Sequence, residues 1–213
     1  IQASKLGAKV TLVARREDAL RETIQQMDNP ELHAYYPFDM SNIEGIEGVV
    51  DKLVKEQGPL DGFLHSVGIG ALRALKMNGP DFVMDTFKVN FFSFVELVRV
   101  LMWKKRMRNG ASIVGISSCS TFNYLSAQSA YAASKGAMDG FLTSAATELA
   151  SRKIRINNVL FSWVNTKMLS DFLSTEHDSS FLNRHLLGVI STEAAANSIL
   201  FLLSDACPYI TGK

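Results

Sequence analysis

Short β-branched or apolar runs alternate with longer segments of helical spacing from Lys9 to Leu203, and that alternation restricts the fold more than any other feature. Lys9–Ala14 is a run of strand length, and Glu17–Met27 follows it with Leu20, Ile24 and Met27 at helical spacing. The pattern predicts further strands at His33–Phe38, Phe63–Val67, Ser112–Ile116 and Ile156–Leu160. Between them it predicts helices from about Ile43 to Gln57, across Asp81–Met107 and after Gln128, with a last helix at Glu193–Leu203. Helices long enough for crossovers between consecutive strands imply an α/β fold: a doubly wound parallel sheet with helices on both faces.

Local punctuation agrees with this division. Ile1–Leu6 reads as the end of a helix stopped at Gly7, since glycine takes the left-handed conformation at a helix C-terminus without steric cost. Ser41-x-x-Glu44 has capping-box spacing at the second crossover helix. Pro30 and Pro80 fall between elements, and no linker, repeat or low-complexity stretch divides the chain, so residues 1–213 are expected to form a single domain.

With 47% apolar residues, 20% charged residues and a formal net charge of +1, the chain has material for a large core. It lacks the charge excess of a protein that grips nucleic acid or an anionic membrane. Its apolar runs, such as Ile199–Leu203, fall short of a bilayer span. Cys119 and Cys207 form no Cys-x-x-Cys, and His33, His65, His177 and His185 lack the pairing of a zinc helix. No metal is expected, and a reducing, cytoplasmic setting is.

In an open parallel sheet, ligands bind outside the carboxyl ends of the strands. The residues there are Arg15, Asp39, His65 to Gly68, Ser118 and the segment after Leu160. Tyr131 and Lys135 follow on one helix face at i, i+4, and an ammonium near a phenol favours the phenolate, which makes tyrosine usable as an acid or base. Tyr209 and Lys213 share the spacing, so spacing alone is a weak signal. What sets Tyr131 apart is its setting, Tyr-Ala-Ala-Ser-Lys, with Ser117-Ser118 at a strand end upstream.

These pieces resemble the short-chain dehydrogenases/reductases over practically the whole chain. The matching segments are Gly7-Ala-Lys-Val10, Asp39-Met40-Ser41, Leu60-Asp-Gly62, Val89-Asn90, Ser112-Ile-Val-Gly-Ile-Ser-Ser118, Tyr131-Ala-Ala-Ser-Lys135, Ile154-Arg-Ile-Asn-Asn158 and Thr166. The resemblance implies a Rossmann-type fold, a nicotinamide cofactor and hydride transfer between a carbonyl and an alcohol. It maps a catalytic tetrad onto Asn90, Ser118, Tyr131 and Lys135. Tyr131 would protonate the nascent alkoxide and Ser118 would hold the carbonyl oxygen. Lys135 would lower the tyrosine pKa and grip the nicotinamide ribose, and Asn90 would fix a water that relays protons to it. Around the cofactor it places Asp39, toward the adenine amino group, Met40, His65 and Gly68, with Val164 and Thr166 at the nicotinamide carboxamide.

Cofactor choice is argued from charge. The second strand of such a fold ends here in Ala14-Arg15-Arg16, with no acid to bond the ribose hydroxyls of NAD. A guanidinium pairs with phosphate through parallel charged hydrogen bonds, and a cation at a helix start is unfavourable without an anion to bind. NADP(H) is therefore expected over NAD(H), held by Arg15 and Arg16.

The sequence also departs from the family pattern. The strand and Thr-Gly-x-x-x-Gly-x-Gly loop that would precede Ile1, and the strand that would follow Thr211-Gly212, are not in the sequence, so trimming at both ends is expected. His65-Ser66-Val67-Gly68 resembles the His-Ser-x-Gly of enoyl-acyl-carrier reductases, but their tyrosine–lysine spacing would put the lysine at Met138. That demotes the enoyl reading and makes His65 a strand-end packing residue beside the adenosine ribose. Phe161-Ser162 replaces a Pro-Gly and leaves open a cofactor-binding regulatory or scaffold protein as the alternative. A 3-oxoacyl-thioester reductase is a further reading within the enzymes. The substrate would be a small carbonyl or alcohol compound under a lid at residues 168–187, containing Asp171, Glu176, His177, Asp178 and Arg184, with an apolar rim of Phe161, Trp163, Leu169 and Phe172. The family resemblance implies an oligomer, a homotetramer or homodimer, through the helices containing Phe91–Met102 and Ala137–Leu149, the former with wider apolar coverage than one buried stripe requires.

Overall fold

A computed structural model describes residues 1–70, 72–103, 106–123, 125–175, 182 and 185–213. Among the described residues five strands are all paired in parallel, in a two-stranded sheet of β1 (Thr11–Ala14) with β2 (Ala34–Pro37) and a three-stranded sheet of β3 (Leu60–His65), β4 (Met107–Ser118) and β5 (Arg155–Phe161) with β4 in the middle. The central strand carries the most continuous apolar run, with Ile113 and Val114 fully buried, as a parallel strand covered on both faces requires.

Eight α-helices connect and flank these strands among the described residues. They are α1 (Gln2–Lys5), α2 (Glu17–Gln25), α3 (Ile46–Gln57), α4 (Pro80–Phe87), α5 (Ser93–Leu101), α6 (Ser129–Leu149), α7 (Lys167–Thr175) and α8 (Thr192–Leu203). Side-chain parity on β4 shows that both faces are covered. Ser112 Oγ donates to the Leu202 carbonyl of α8 at 2.8 Å, whereas Gly115, of opposite parity, abuts Met138 of α6. The main core joins α3, α5 and α6 to that second face through Ile46, Val50, Phe94, Leu97, Ile113, Met138, Leu142 and Ile156. No helix among the described residues is long and apolar enough to cross a membrane.

The α/β, doubly wound architecture is the expected one, with several local differences. Gly7 has φ +81 and ends α1, as its position implied. The cap of the second crossover is one residue later than the expected box: Asn42 Oδ1 accepts from Gly45 N at 3.2 Å, while Ser41 N is turned back onto Asp39 Oδ1. A 3₁₀ turn, Ile43–Gly45, therefore precedes α3. Met107 belongs to β4, not to the preceding helix, because β4 extends to pair with Leu60. Between α4 and α5 the helix widens into a π-turn, Lys88–Phe92. Beyond β5, Gly212 N donates to Ile156 O and Asn158 N to Lys213 O, so the last residues run alongside that strand.

Candidate active site

The carboxyl ends of β3, β4 and β5 converge with the first turns of α6. Ser118 is the last residue of β4, and Tyr131 enters on α6 within hydrogen-bond reach of its hydroxyl. One turn on, Lys135 is 3% exposed; its Nζ donates to the Ile116 carbonyl at 2.7 Å and lies 5.9 Å from the Tyr131 ring centroid. Gly68, in the loop after β3, closes this space, since a Cβ there would stand 3.5 Å from both Asn90 Oδ1 and Lys135 Nζ. The fold thus brings Gly68, Asn90, Ser118, Tyr131 and Lys135 together.

Asn90 is fully buried in the π-turn and acts as a latch. Its Oδ1 accepts from Ile69 N at 2.8 Å, and its Nδ2 donates to Ile69 O at 3.1 Å and to Ser134 Oγ at 3.0 Å. Ser134 in turn donates to the Tyr131 carbonyl at 2.7 Å. One amide therefore ties the β3 loop, the π-turn and α6 into a unit. Both amide hydrogens are engaged within the protein, so a water held at Asn90 must be held by an acceptor atom.

Electrostatics here are set first by burial. It pushes the Tyr131 phenol above its ordinary value, against the hydrogen bond from Ser118. It also pulls Lys135 down to about 8, against the attraction of Asp139. The expected lowering of the tyrosine by the lysine is not what this arrangement produces: the ammonium is turned onto the Ile116 carbonyl, and desolvation dominates. At neutral pH the phenol is protonated, the form required of a proton donor.

The residues expected around a cofactor divide into those that face the cleft and those that do not. An open concavity of about 580 Å³ at the end of β1 is lined by Ala14, Arg15, Arg16, Ala19, Leu20 and Thr23. Asp39, at the end of β2, is held below its usual range by the backbone and hydroxyl of Ser41, and the charge of Arg15 reaches it. Arg15, Arg16 and Asp39 therefore share one edge. Met40 differs: its side chain lies in the core at 7% exposure, which leaves only backbone for a ligand. His65 differs too, being 1% exposed and packed against Phe63 and Phe94, with Nε2 on Ser93 Oγ at 3.0 Å. Its ring is withdrawn from any ribose because its side chain points into the α5 face, where apolar neighbours receive it. Val164 bridges to Ile190, and Thr166 Oγ1 donates to the Val164 carbonyl at 3.3 Å.

Part of the segment expected as a lid forms α7, a helix that the mixed polarity of the sequence did not disclose. Met168 packs against Gly70, and the Trp163 and Phe172 rings stand 4.6 Å apart. Leu169 is 5% exposed and belongs to the interior, not to a substrate rim. Glu176, His177, Asp178 and Arg184 lie outside the described residues. Exposed apolar side chains at the strand ends are instead Leu72, Leu75 and Met77 after β3, Phe122 after β4 and Met168 after β5. Ser134 and Asp139 were missed in the sequence, although both sit at helical spacing from Tyr131 and Lys135. Among the described residues no group of three or more His, Cys, Asp or Glu is placed to hold a metal.

Parallel α/β strands with a tyrosine–lysine pair on the helix after β4 place that pair where such folds bind ligands, at the strand carboxyl ends. The chain belongs to the short-chain dehydrogenase/reductase family: the family model described as enoyl-(acyl carrier protein) reductase matches residues 1–213. Among curated proteins it is 30% identical to carbonyl reductase family member 4 of Xenopus laevis over 206 residues, covering 96% of this chain and 83% of that one. It is 33% identical to 3-oxoacyl-[acyl-carrier-protein] reductase FabG of Thermotoga maritima over 182 residues, covering 84% and 72%. Among solved structures, ElxO with NADP bound superposes at a TM-score of 0.87 with 22% identity, covering 99% of this chain and 87% of that one.

Proposed function

We propose that the protein is an NADP(H)-dependent reductase that converts a carbonyl to an alcohol, with Tyr131 as the proton donor. The observation that carries this reading is the placement of a protonated Tyr131 phenol beside Ser118 and a buried Lys135, at the carboxyl ends of the strands. Ser118 Oγ orients the carbonyl oxygen, and the Tyr131 hydroxyl donates its proton to that oxygen as negative charge develops on it. The Lys135 ammonium stabilises the phenolate left behind and is placed to bond a ribose. A bound dihydronicotinamide supplies the hydride.

The residues present suit such a dinucleotide. Arg15 and Arg16 line the concavity at the β1 end, and no ion pair joins either to a carboxylate among the described residues, so both are available to a ribose phosphate. Asp39 offers a carboxylate on the same edge to an adenine amino group, and Val164 and Thr166 offer backbone and hydroxyl to a carboxamide. ElxO, of the same fold, is described with NADP bound, which supports this choice.

For substrate, a 3-oxoacyl thioester or a ketone with an apolar chain is favoured by the exposed Leu75, Met77, Phe122 and Met168 near the site and by the activity named for the Thermotoga maritima relative. Reduction of an enoyl double bond is disfavoured, because the residue seven positions after Tyr131 is Met138. The test is NADPH oxidation with a 3-oxoacyl thioester, an aliphatic ketone and a keto-sugar. Tyr131→Phe should lower turnover by on the order of 10²–10⁴-fold and leave NADPH binding nearly unchanged. Wild-type turnover by that variant would defeat the role given to Tyr131, and tight NADPH binding without turnover by the wild type would favour a cofactor-binding regulatory protein.

A further inference from the structure

Tyr131, Lys135 and Asp139 succeed one another at four-residue steps on α6 and so form one stripe along the helix. Lys135 is the difficult member. Its Nζ is in the interior, with the Ile116 carbonyl at 2.7 Å and the Met138 sulfur at 3.8 Å, neither of which carries a formal charge. Its partners in the tetrad, Asn90, Ser118 and Tyr131, are neutral as well. A buried ammonium without an opposite charge gives up its proton, and a carboxylate nearby opposes that loss.

Asp139 is the acidic group whose charge reaches Lys135 among the described residues. It does not stand free. Asn158, on β5 and 6% exposed, donates from Nδ2 to Asp139 Oδ1 at 2.7 Å. The other end of that amide is wedged against Gly115 of β4, where any Cβ would collide with Asn158 Oδ1, and Oδ1 has no hydrogen-bond partner among the described residues. A buried amide with one orphaned acceptor is unfavourable in itself, so its orientation is fixed by what the other end does, which is to hold the Asp139 carboxylate.

We infer that Asp139, anchored by Asn158, is a positioning residue that supplies the counter-charge for Lys135 and thereby sets the upper pH limit of the reductase. This rests on the reading of Lys135 as part of a carbonyl reductase. Other groups facing Lys135 add no negative charge at working pH. Tyr131 on α6 is protonated, His65 from β3 is neutral down to about pH 3, and Ser118, Asn90 and Asn158 are neutral. Cys119, in the 3₁₀ turn after β4, acts on Tyr131 and not on Lys135.

The direction of the effect follows. The ammonium is the form that helps a departing phenol proton, so activity falls as pH rises through the Lys135 pKa, and removing the Asp139 charge moves that fall to lower pH. Full-length wild type, Asp139→Asn, Asp139→Glu and Asn158→Ala are compared, each checked for unchanged melting. Lysine 15Nζ NMR, assigned with Lys135→Met, reads the charge of Lys135 directly, without turnover. Wild type should titrate near 8, Asp139→Asn roughly 0.5–1 unit lower, and Asp139→Glu near wild type. The high-pH limb of kcat/KM for NADPH-dependent carbonyl reduction should move by the same amount. Coincident Lys135 titrations in wild type and Asp139→Asn would overturn the inference. So would a displaced titration with an unmoved pH profile. If wild type reduces no carbonyl compound, the proposed function fails, and the NMR titration alone still decides whether Asp139 charges Lys135.

Discussion

A histidine sealed from water titrates far below its ordinary range, and His65 is such a residue: burial, then the nearby Lys135 charge, brings it from 6.5 to about 3. Its Nε2 faces Ser93 Oγ, and Ser93 donates onward to the Val89 carbonyl at 2.6 Å, so Nε2 carries the hydrogen and Nδ1 is left bare. Below pH 6.5 the unfolded chain gains a proton that the folded protein refuses until about pH 3. Stability should therefore decline on acidification through that window, with a slope approaching ~1.4 kcal/mol per pH unit from this group. Urea unfolding between pH 7 and pH 4 measures it, and His65→Phe should flatten the slope. A mutant and wild type with parallel curves would assign the acid sensitivity elsewhere. Arg15 gives a second single-residue expectation. Its guanidinium lines the β1 concavity, so Arg15→Ala should weaken NADPH binding roughly 10- to 100-fold and leave NADH binding nearly unchanged. Paired titrations decide it, and equal losses for the two cofactors would refute the phosphate contact.

Among the elements, the π-turn between α4 and α5 has the clearest link to function. Ser93 bonds back to the Val89 carbonyl, and Asn90 is drawn onto the backbone of Ile69, so the helix widens where Asn90 must reach across to α6. Asn90→Ala removes the bonds to Ile69 N, Ile69 O and Ser134 Oγ and should cost about 2–4 kcal/mol. Urea denaturation tests this. A loss under ~0.5 kcal/mol would mean that the latch is replaced by solvent. The sequence disclosed helices across this stretch, though not their end before Met107, and Asn90 itself, but not the widening, because a π-turn arises from contacts with Ile69 and Ser134 that lie 21 and 44 residues away. The same limit applied to the lid. Lys167–Thr175 folds as a helix whose Leu169 faces inward, and its mixed composition could not say which side was packed.

Association is a property of the molecule as a whole. The width of the apolar surface on 91–102 suggested an oligomer, yet the core of the single chain absorbs Phe94, Leu97, Val98 and Leu101. Phe91 packs its ring against Phe141 at 6.2 Å, and Val95 is left half-buried. Phe91, Phe92 and Val95 on this stretch remain partly exposed, and a homodimer or homotetramer through it is the expected state. Light scattering at micromolar concentration should give a multiple of the chain mass, and Val95→Arg should reduce it. A monomeric wild type would contradict the assembly.

Strand and helix order and the parallel pairing were legible from periodicity, because it depends on residues within a few positions of one another. Ser118, Tyr131 and Lys135 were legible through motif context and family resemblance, since the tyrosine–lysine spacing alone also fits Tyr209 and Lys213. The withdrawal of His65 and Met40 from the cofactor edge was not, since the direction of a strand-end side chain depends on which helix covers that face. Nor was the sign of the Tyr131 shift. Spacing places a lysine one turn away, but its ammonium is turned onto the Ile116 carbonyl, and burial at the strand ends raises the phenol against the Ser118 hydrogen bond. The Asn158–Asp139 contact joins β5 to α6 across Gly115, and such a contact exists only once the strands have paired. Local order follows from short-range chemistry along the chain, whereas burial and cross-strand partners, which set the protonation of the site, arise from packing among segments far apart in sequence.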